Sequence, residues 1–121
     1  MKLNTIKNNR DFIKVYKNGR SYVGAYVVLY AFKNEYNTKR IGITASKKVG
    51  NAVVRNRVRR LIRNSIVKEF EKFQDGYDYV FVARVKSAGI SQEKMQKNIH
   101  YLAVISSKKS KKNTKYSNSE K

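Results

Sequence analysis

Three patterns of apolar residues divide the chain. Residues 22–32 and 40–46 carry β-branched and aromatic side chains and flank the polar segment Lys33-Asn34-Glu35-Tyr36-Asn37-Thr38, which predicts two strands paired antiparallel. From Val54 the apolar residues recur at helical spacing, through Val58, Leu61, Ile62, Ile66 and Phe70 to Phe73, and Asn51 is placed to cap that helix. Gln74-Asp75-Gly76 then ends it, and Tyr79-Val80-Phe81-Val82-Ala83 is apolar at every position, as a strand covered on both faces would be. Strand, long helix and buried strand in succession predict a parallel crossover.

Shorter elements complete the pattern. A first helix is expected from Asn9 to about Asn18, with Asn9 as its cap, Asp11 at its positive end, Gly19 at its exit and Phe12, Ile13, Val15 and Tyr16 on its apolar side. A last helix starts near Ser91 and turns Met95, Ile99, Leu102 and Ile105 inward. After it the composition becomes Lys, Ser and Asn, so residues 1–105 are expected to form one domain and residues 106–121 a disordered basic tail. The order is αβββαβα, or αββαβα if Tyr22-Val23 is not a strand of its own.

Side-chain alternation gives the strands two characters. Val27, Leu29 and Ala31 share one face and Tyr26, Val28, Tyr30 and Phe32 the other. In the next strand Ile41, Ile43 and Ala45 oppose Arg40, Gly42, Thr44 and Ser46. The aliphatic faces are expected to make the core. The aromatic face, with Phe12 and Tyr16 one helical turn apart, is either a second core or a cleft able to stack unpaired bases.

Charge changes this picture most. The chain has 28 Lys and Arg against 8 Asp and Glu, a formal charge of +20 on 121 residues. Five arginines fall between positions 55 and 63 of the long helix; Arg55, Arg59 and Arg63 form one i, i+4 row with Arg60 between it and the apolar stripe, and like charges one turn apart oppose folding by about 0.2–0.5 kcal/mol per pair. Such a helix calls for an external polyanion, and nucleic acid is the expected one. Asn56, between two arginines, adds an amide that can bond a base edge or sugar hydroxyl. Lys47 and Lys48 precede the same helix N-terminus, either as phosphate contacts or as an ordinary turn.

Catalytic chemistry is thinly represented. There is no cysteine, and the one histidine, His100, is expected to have a structural or surface role. Glu69 and Glu71 point apart on a helix, while Asp75 and Asp78 read as turn residues. No apolar run reaches transmembrane length and the first residues lack the apolar core of a signal peptide, so a cytoplasmic protein with no membrane partner is expected.

The stretch Gly42-Ile-Thr-Ala-Ser-Lys-Lys-Val-Gly-Asn-Ala-Val-Val-Arg-Asn-Arg-Val-Arg-Arg-Leu-Ile-Arg63 closely resembles the signature of the bacterial ribonuclease P protein family. Asp11-Phe12 with Tyr16 and Gly19, Val28-Leu29-Tyr30, and Asp78-Tyr79 leading to Ala83-Arg84 extend the likeness over roughly residues 8–105. Val85-Lys86-Ser87 stands where many members have a proline, and Tyr16 where a Phe is frequent. The resemblance implies an α+β fold, a single-domain α/β sandwich of αβββαβα order with a left-handed βαβ crossover.

It also implies a division of labour. A catalytic RNA cleaves precursor tRNA with magnesium held mainly by that RNA, and the protein supplies no catalytic residue and needs no obligate protein partner. Lys47, Lys48, Arg55, Asn56, Arg57, Arg59, Arg60 and Arg63 would face the catalytic RNA. Phe12, Tyr16, Val28 and Tyr30 would line a cleft for the 5′ leader. A basic ribosomal protein is the competing expectation, and a protein-only nuclease a third.

Overall fold

The computed structural model of the chain describes residues 2–112. Helix α1 spans Asn9–Asn18, and its cap is Asn8, one residue earlier than expected, whose Oδ1 accepts from the Asp11 amide at 3.0 Å. Gly19 ends it without a left-handed turn. A Cβ there would lie 2.6 Å from the Val15 carbonyl oxygen and 2.7 Å from that of Ala31, so close approach, not backbone twist, demands the glycine.

Strands β1 (Arg20–Val23), β2 (Val27–Lys33) and β3 (Arg40–Thr44) follow, then helix α2 (Ala52–Glu69) with a 3-10 turn at Phe70–Lys72. Strand β4 (Tyr77–Ala83), a 3-10 turn at Val85–Ser87 and helix α3 (Gln92–Lys112) complete the αβββαβα order. Asn51 caps α2 as expected, its Oδ1 accepting from the Val54 amide at 3.0 Å.

The sheet order is β1-β2-β4-β3. Strands β2 and β3 therefore do not pair with each other. Strand β4 lies between them, antiparallel to β2 (Leu29 opposite Phe81) and parallel to β3 (Ile43 opposite Phe81). The reason is burial: a strand apolar at every position needs neighbours on both edges as well as cover on both faces, and Val80 and Phe81 are wholly buried there. The expected parallel crossover is the β3–α2–β4 unit.

Helices α2 and α3 cover one face of the sheet. Val27, Leu29, Phe81, Val58, Ile62, Ile66, Met95, Ile99 and Leu102 form the main core there without solvent contact, each contributing about 1.5–3 kcal/mol of burial. Gln92 ties the two helices together, its Nε2 donating to the Leu61 carbonyl and to Ser65 Oγ, both at 2.9 Å. Helix α1 lies on the opposite face, where Ile6, Val15 and Val80 make a smaller cluster.

Helix α3 continues to Lys112, past the expected domain boundary at residue 105. Ser106 is itself buried, and its hydroxyl donates to the Ala103 carbonyl, so a polar residue at that position does not interrupt the helix. The rest of the expected tail, residues 113–121, lies outside the described residues.

Candidate nucleic-acid interface

The arginines of α2 divide into groups that the sequence had placed together. Asn56, Arg59, Arg60 and Arg63 line a groove of about 530 Å³ between α2, β3 and the N-terminal segment, walled elsewhere by Ile6 and Phe12. Arg59 Nη1 donates to Asn56 Oδ1 at 2.8 Å, which fixes the amide and leaves its Nδ2 without a partner among the described residues. Arg55 is held at the helix N-terminus by its Nε, which donates to the Gly50 carbonyl at 3.1 Å. Arg57 turns away to the other flank, where its Nη2 donates to the Ile90 carbonyl at 2.9 Å and anchors the loop before α3. Its Nη1 is buried and unpartnered among the described residues.

Among the described residues none of these five arginines forms an ion pair. The first turn of α2 also carries no acidic side chain, so its positive end is unneutralised. Lys47 and Lys48 are exposed in the turn just before that end, outside the groove.

Across the sheet the rings form a continuous surface. Phe12 lies 6.5 Å from Tyr16, and Tyr16 meets Tyr30 edge-on at 5.1 Å between centroids. Tyr16 is 39% exposed, while Phe12, Val28 and Tyr30 are half-buried. Phe12 belongs to both surfaces: it lines the arginine groove, and it rests on β3 so closely that a Cβ at Gly42 would be 2.6 Å from its ring. Tyr26 is not part of this face. It precedes β2, where strand alternation does not yet apply, and it packs with the main core beside α3.

Two polar clusters hold these surfaces in place. Arg40 donates through Nε and Nη2 to both oxygens of Asp78, at 2.9 and 2.8 Å, and its Nη2 also reaches Asp11 Oδ2 at 3.2 Å, pinning α1 to the sheet. These bonds, that to Asp78 foremost, push the guanidinium further above its already high range. The second cluster centres on Glu69 at the end of α2. Burial alone would raise its pKa, but His100 Nδ1 donating at 2.9 Å, Gln96 Nε2 at 2.6 Å and Lys72 at 3.4 Å together hold the carboxyl below its ordinary range. His100 thus has a structural role, one of the two expected of it.

Sequence reasoning missed Asp78, which is buried in β4 and not a turn residue, and missed Arg40 as its partner. A lone carboxylate inside an apolar run was the available signal. Among the described residues no three His, Cys, Asp or Glu side chains are grouped to hold a metal ion, and both carboxylates beside α1 are engaged by Arg40. No helix among them is long and apolar enough to cross a membrane.

Comparison with known proteins agrees with this geometry. The ribonuclease P family model matches residues 1–115. The ribonuclease P protein component of Clostridioides difficile (strain 630) is 46% identical over 98 residues, covering 80% of this chain and 86% of that one. That of Clostridium botulinum (strain 657 / Type Ba4) is 49% identical over 88 residues, 72% of this chain and 79% of the relative. Among solved structures, the RNase P protein of Staphylococcus aureus superposes with a TM-score of 0.78 at 32% identity, covering 87% of this chain and 96% of its own. That of Thermotoga maritima gives 0.75 at 25% identity, covering 83% and 94%. The chain belongs to the ribonuclease P protein family, the protein components of a tRNA-processing ribonucleoprotein that associate with an RNA subunit.

Proposed function

We propose that α2 binds the catalytic RNA and that the aromatic cleft binds the 5′ leader of precursor tRNA, so that the protein assists endonucleolytic removal of the leader. The observation that carries this reading is the double placement of Phe12, which makes the arginine groove and the ring surface one continuous path. The catalytic RNA on α2 and the leader in the cleft would then meet beside Phe12, on one side of the protein.

The chemistry divides accordingly. Arg59, Arg60 and Arg63 in the groove, with Arg55, Lys47 and Lys48 at the helix N-terminus, neutralise phosphates that would otherwise repel one another where two RNAs meet. Asn56, held by Arg59, offers its free Nδ2 to a base or sugar acceptor. Arg57 acts indirectly, by fixing the loop that supports α3. Phe12, Tyr16 and Tyr30 supply stacking surfaces worth about 1–3 kcal/mol per base, and half-buried Val28, two residues before Tyr30 on β2, adds an apolar side chain on the same strand face. The protein supplies no catalytic group in this scheme: magnesium and the hydrolytic step belong mainly to the RNA subunit.

The test is magnesium-dependent cleavage of a precursor tRNA at low salt by the protein alone, by cognate ribonuclease P RNA alone, and by both together. Stimulation confined to the reaction that contains RNA is expected. Cleavage by the protein alone would overturn the assignment of catalysis, and absence of stimulation where the RNA is active would favour a general RNA-binding protein.

A further inference from the structure

A second concavity lies on the other side of the sheet from the aromatic cleft, between the turn leading into β2 and the outer side of α3. It is a shallow, open depression of about 490 Å³, lined by Ala25, Tyr26, Lys94, Lys97, Asn98 and Tyr101. Residues 94, 97, 98 and 101 share one helical face by spacing.

Its floor is built, not incidental. Asn98 is buried, 7% exposed, and its Oδ1 accepts from the Tyr26 amide at 2.8 Å. The Tyr26 carbonyl in turn accepts from the Arg84 amide at 2.9 Å, and Arg84 Nη1 donates to the Gly24 carbonyl at 2.8 Å. Only glycine fits at position 24, because a Cβ there would stand 2.4 Å from Asn98 Nδ2. With Oδ1 fixed on the backbone, Nδ2 is oriented, yet it donates to none of the described residues.

The walls match one ligand chemistry. Tyr101 is half exposed and stacks on no other ring of the described chain. Among the described residues Lys97 has only a 3.7 Å contact with Glu93, both side chains nearly four-fifths exposed, so the pair is weak and readily exchanged for a phosphate. Lys94 has no acidic partner among the described residues. Exposed ring, oriented amide donor and two lysines, on a chain of net charge +20, favour a polyanion with stackable groups over a peptide or a lipid. We propose that this pocket binds one unpaired nucleotide of an RNA strand, the base against Tyr101 and Tyr26, an acceptor of base or sugar on Asn98 Nδ2, and the flanking phosphates on Lys94 and Lys97.

The experiment uses the full chain and a ten-nucleotide single-stranded RNA carrying 5-bromouridine, photocrosslinked and mapped to peptides. Crosslinks to Tyr26 or Tyr101 are expected to persist when the cleft is weakened by Tyr16→Ala and Tyr30→Ala. Tyr101→Ala should abolish those crosslinks at position 101 and weaken the remaining affinity about fivefold or more, the lower end of one lost stack. Lys94→Gln with Lys97→Gln should lower the slope of log affinity against log salt by about 0.7 per lysine. Tyr101→Leu, which keeps an apolar side chain on the exposed side of α3 but no ring, serves as the second variant and should behave as the alanine does. Cleft crosslinks without any at Tyr26 or Tyr101, together with affinities within twofold of the parent for both Tyr101 variants, would overturn the proposal. That result would leave the cleft reading standing, whereas loss of the cleft crosslinks alone would overturn the cleft and not this pocket.

Discussion

Leu29 and Tyr30 are adjacent on β2, yet Leu29 has no solvent contact beneath α2 and α3 while Tyr30 stays half-buried beside α1. The same contrast runs across β4, where Phe81 is wholly buried in the main core and Val82 only partly covered on the other face. The difference comes from the size of the cover. Two long helices close one face, whereas α1 has ten residues and buries only Val15 among them, so the rings around it remain accessible. Period-two alternation thereby places a closed core and a partly accessible ring surface on opposite sides of single strands.

The sharpest way to break that comparison is to truncate on either side of β2. Leu29→Ala should cost about 2–5 kcal/mol in denaturant unfolding, while the proposed preference for precursor over mature tRNA is expected to survive in the folded fraction. A loss of that preference would show that the two faces are not independent. Asp78→Ala is the exception that should couple them. It leaves a largely buried guanidinium with Asp11 alone, at about 3 kcal/mol, and loosens the link between α1 and the sheet. Both the unfolding midpoint and the precursor preference should therefore fall, and a variant that loses only stability would show that Arg40 does not position α1.

Tyr30→Ala should do the reverse of Leu29→Ala. Affinity for precursor tRNA is expected to fall by about 1–3 kcal/mol with mature tRNA unaffected, because only the former has a leader to stack. Equal weakening of both tRNAs would make Tyr30 a core residue like Leu29.

How much of this was legible in the sequence depended on whether a residue's partner was local. The spacing of α2, its Asn51 cap, the interior character of β4 and the alternation of Leu29 with Tyr30 are all set within a few residues, and all were readable. Strand order was not: nothing near residues 33–38 indicates that β4, forty residues on, will part β2 from β3. Arg57 looked like its neighbours because its partner is the Ile90 carbonyl, although its position four residues before buried Leu61 marked a different side of the helix from Arg60. Tyr26 was misassigned because its amide bonds Asn98 instead of a strand, so alternation was counted one residue too early. The rings of Phe12, Tyr16 and Tyr30 were each readable as apolar positions of α1 and β2, but the approach of Phe12 to Gly42 beside the arginine groove is a contact between elements far apart in sequence.

The smallest expected effect probes the covered face through pH. Glu69 is 9% exposed, and its carboxyl is held below the ordinary range by His100, Gln96 and Lys72. A carboxylate whose pKa is lower folded than unfolded stabilises the fold fully above the unfolded value of about 4.3 and loses that contribution as pH falls through the folded value. Melting temperature should therefore be insensitive to this group between pH 6 and 8, on the scale of about one titrating site, and decline below about pH 4.3. Glu69→Gln keeps a hydrogen-bonding side chain of the same shape, so it should lower stability near neutrality modestly and flatten the acid limb. Leader preference, which is proposed for the other face, should not change with it. An acid limb as steep in Glu69→Gln as in the parent would place the titrating group elsewhere, and a change in leader preference would mean that the end of α2 communicates with the cleft across the sheet.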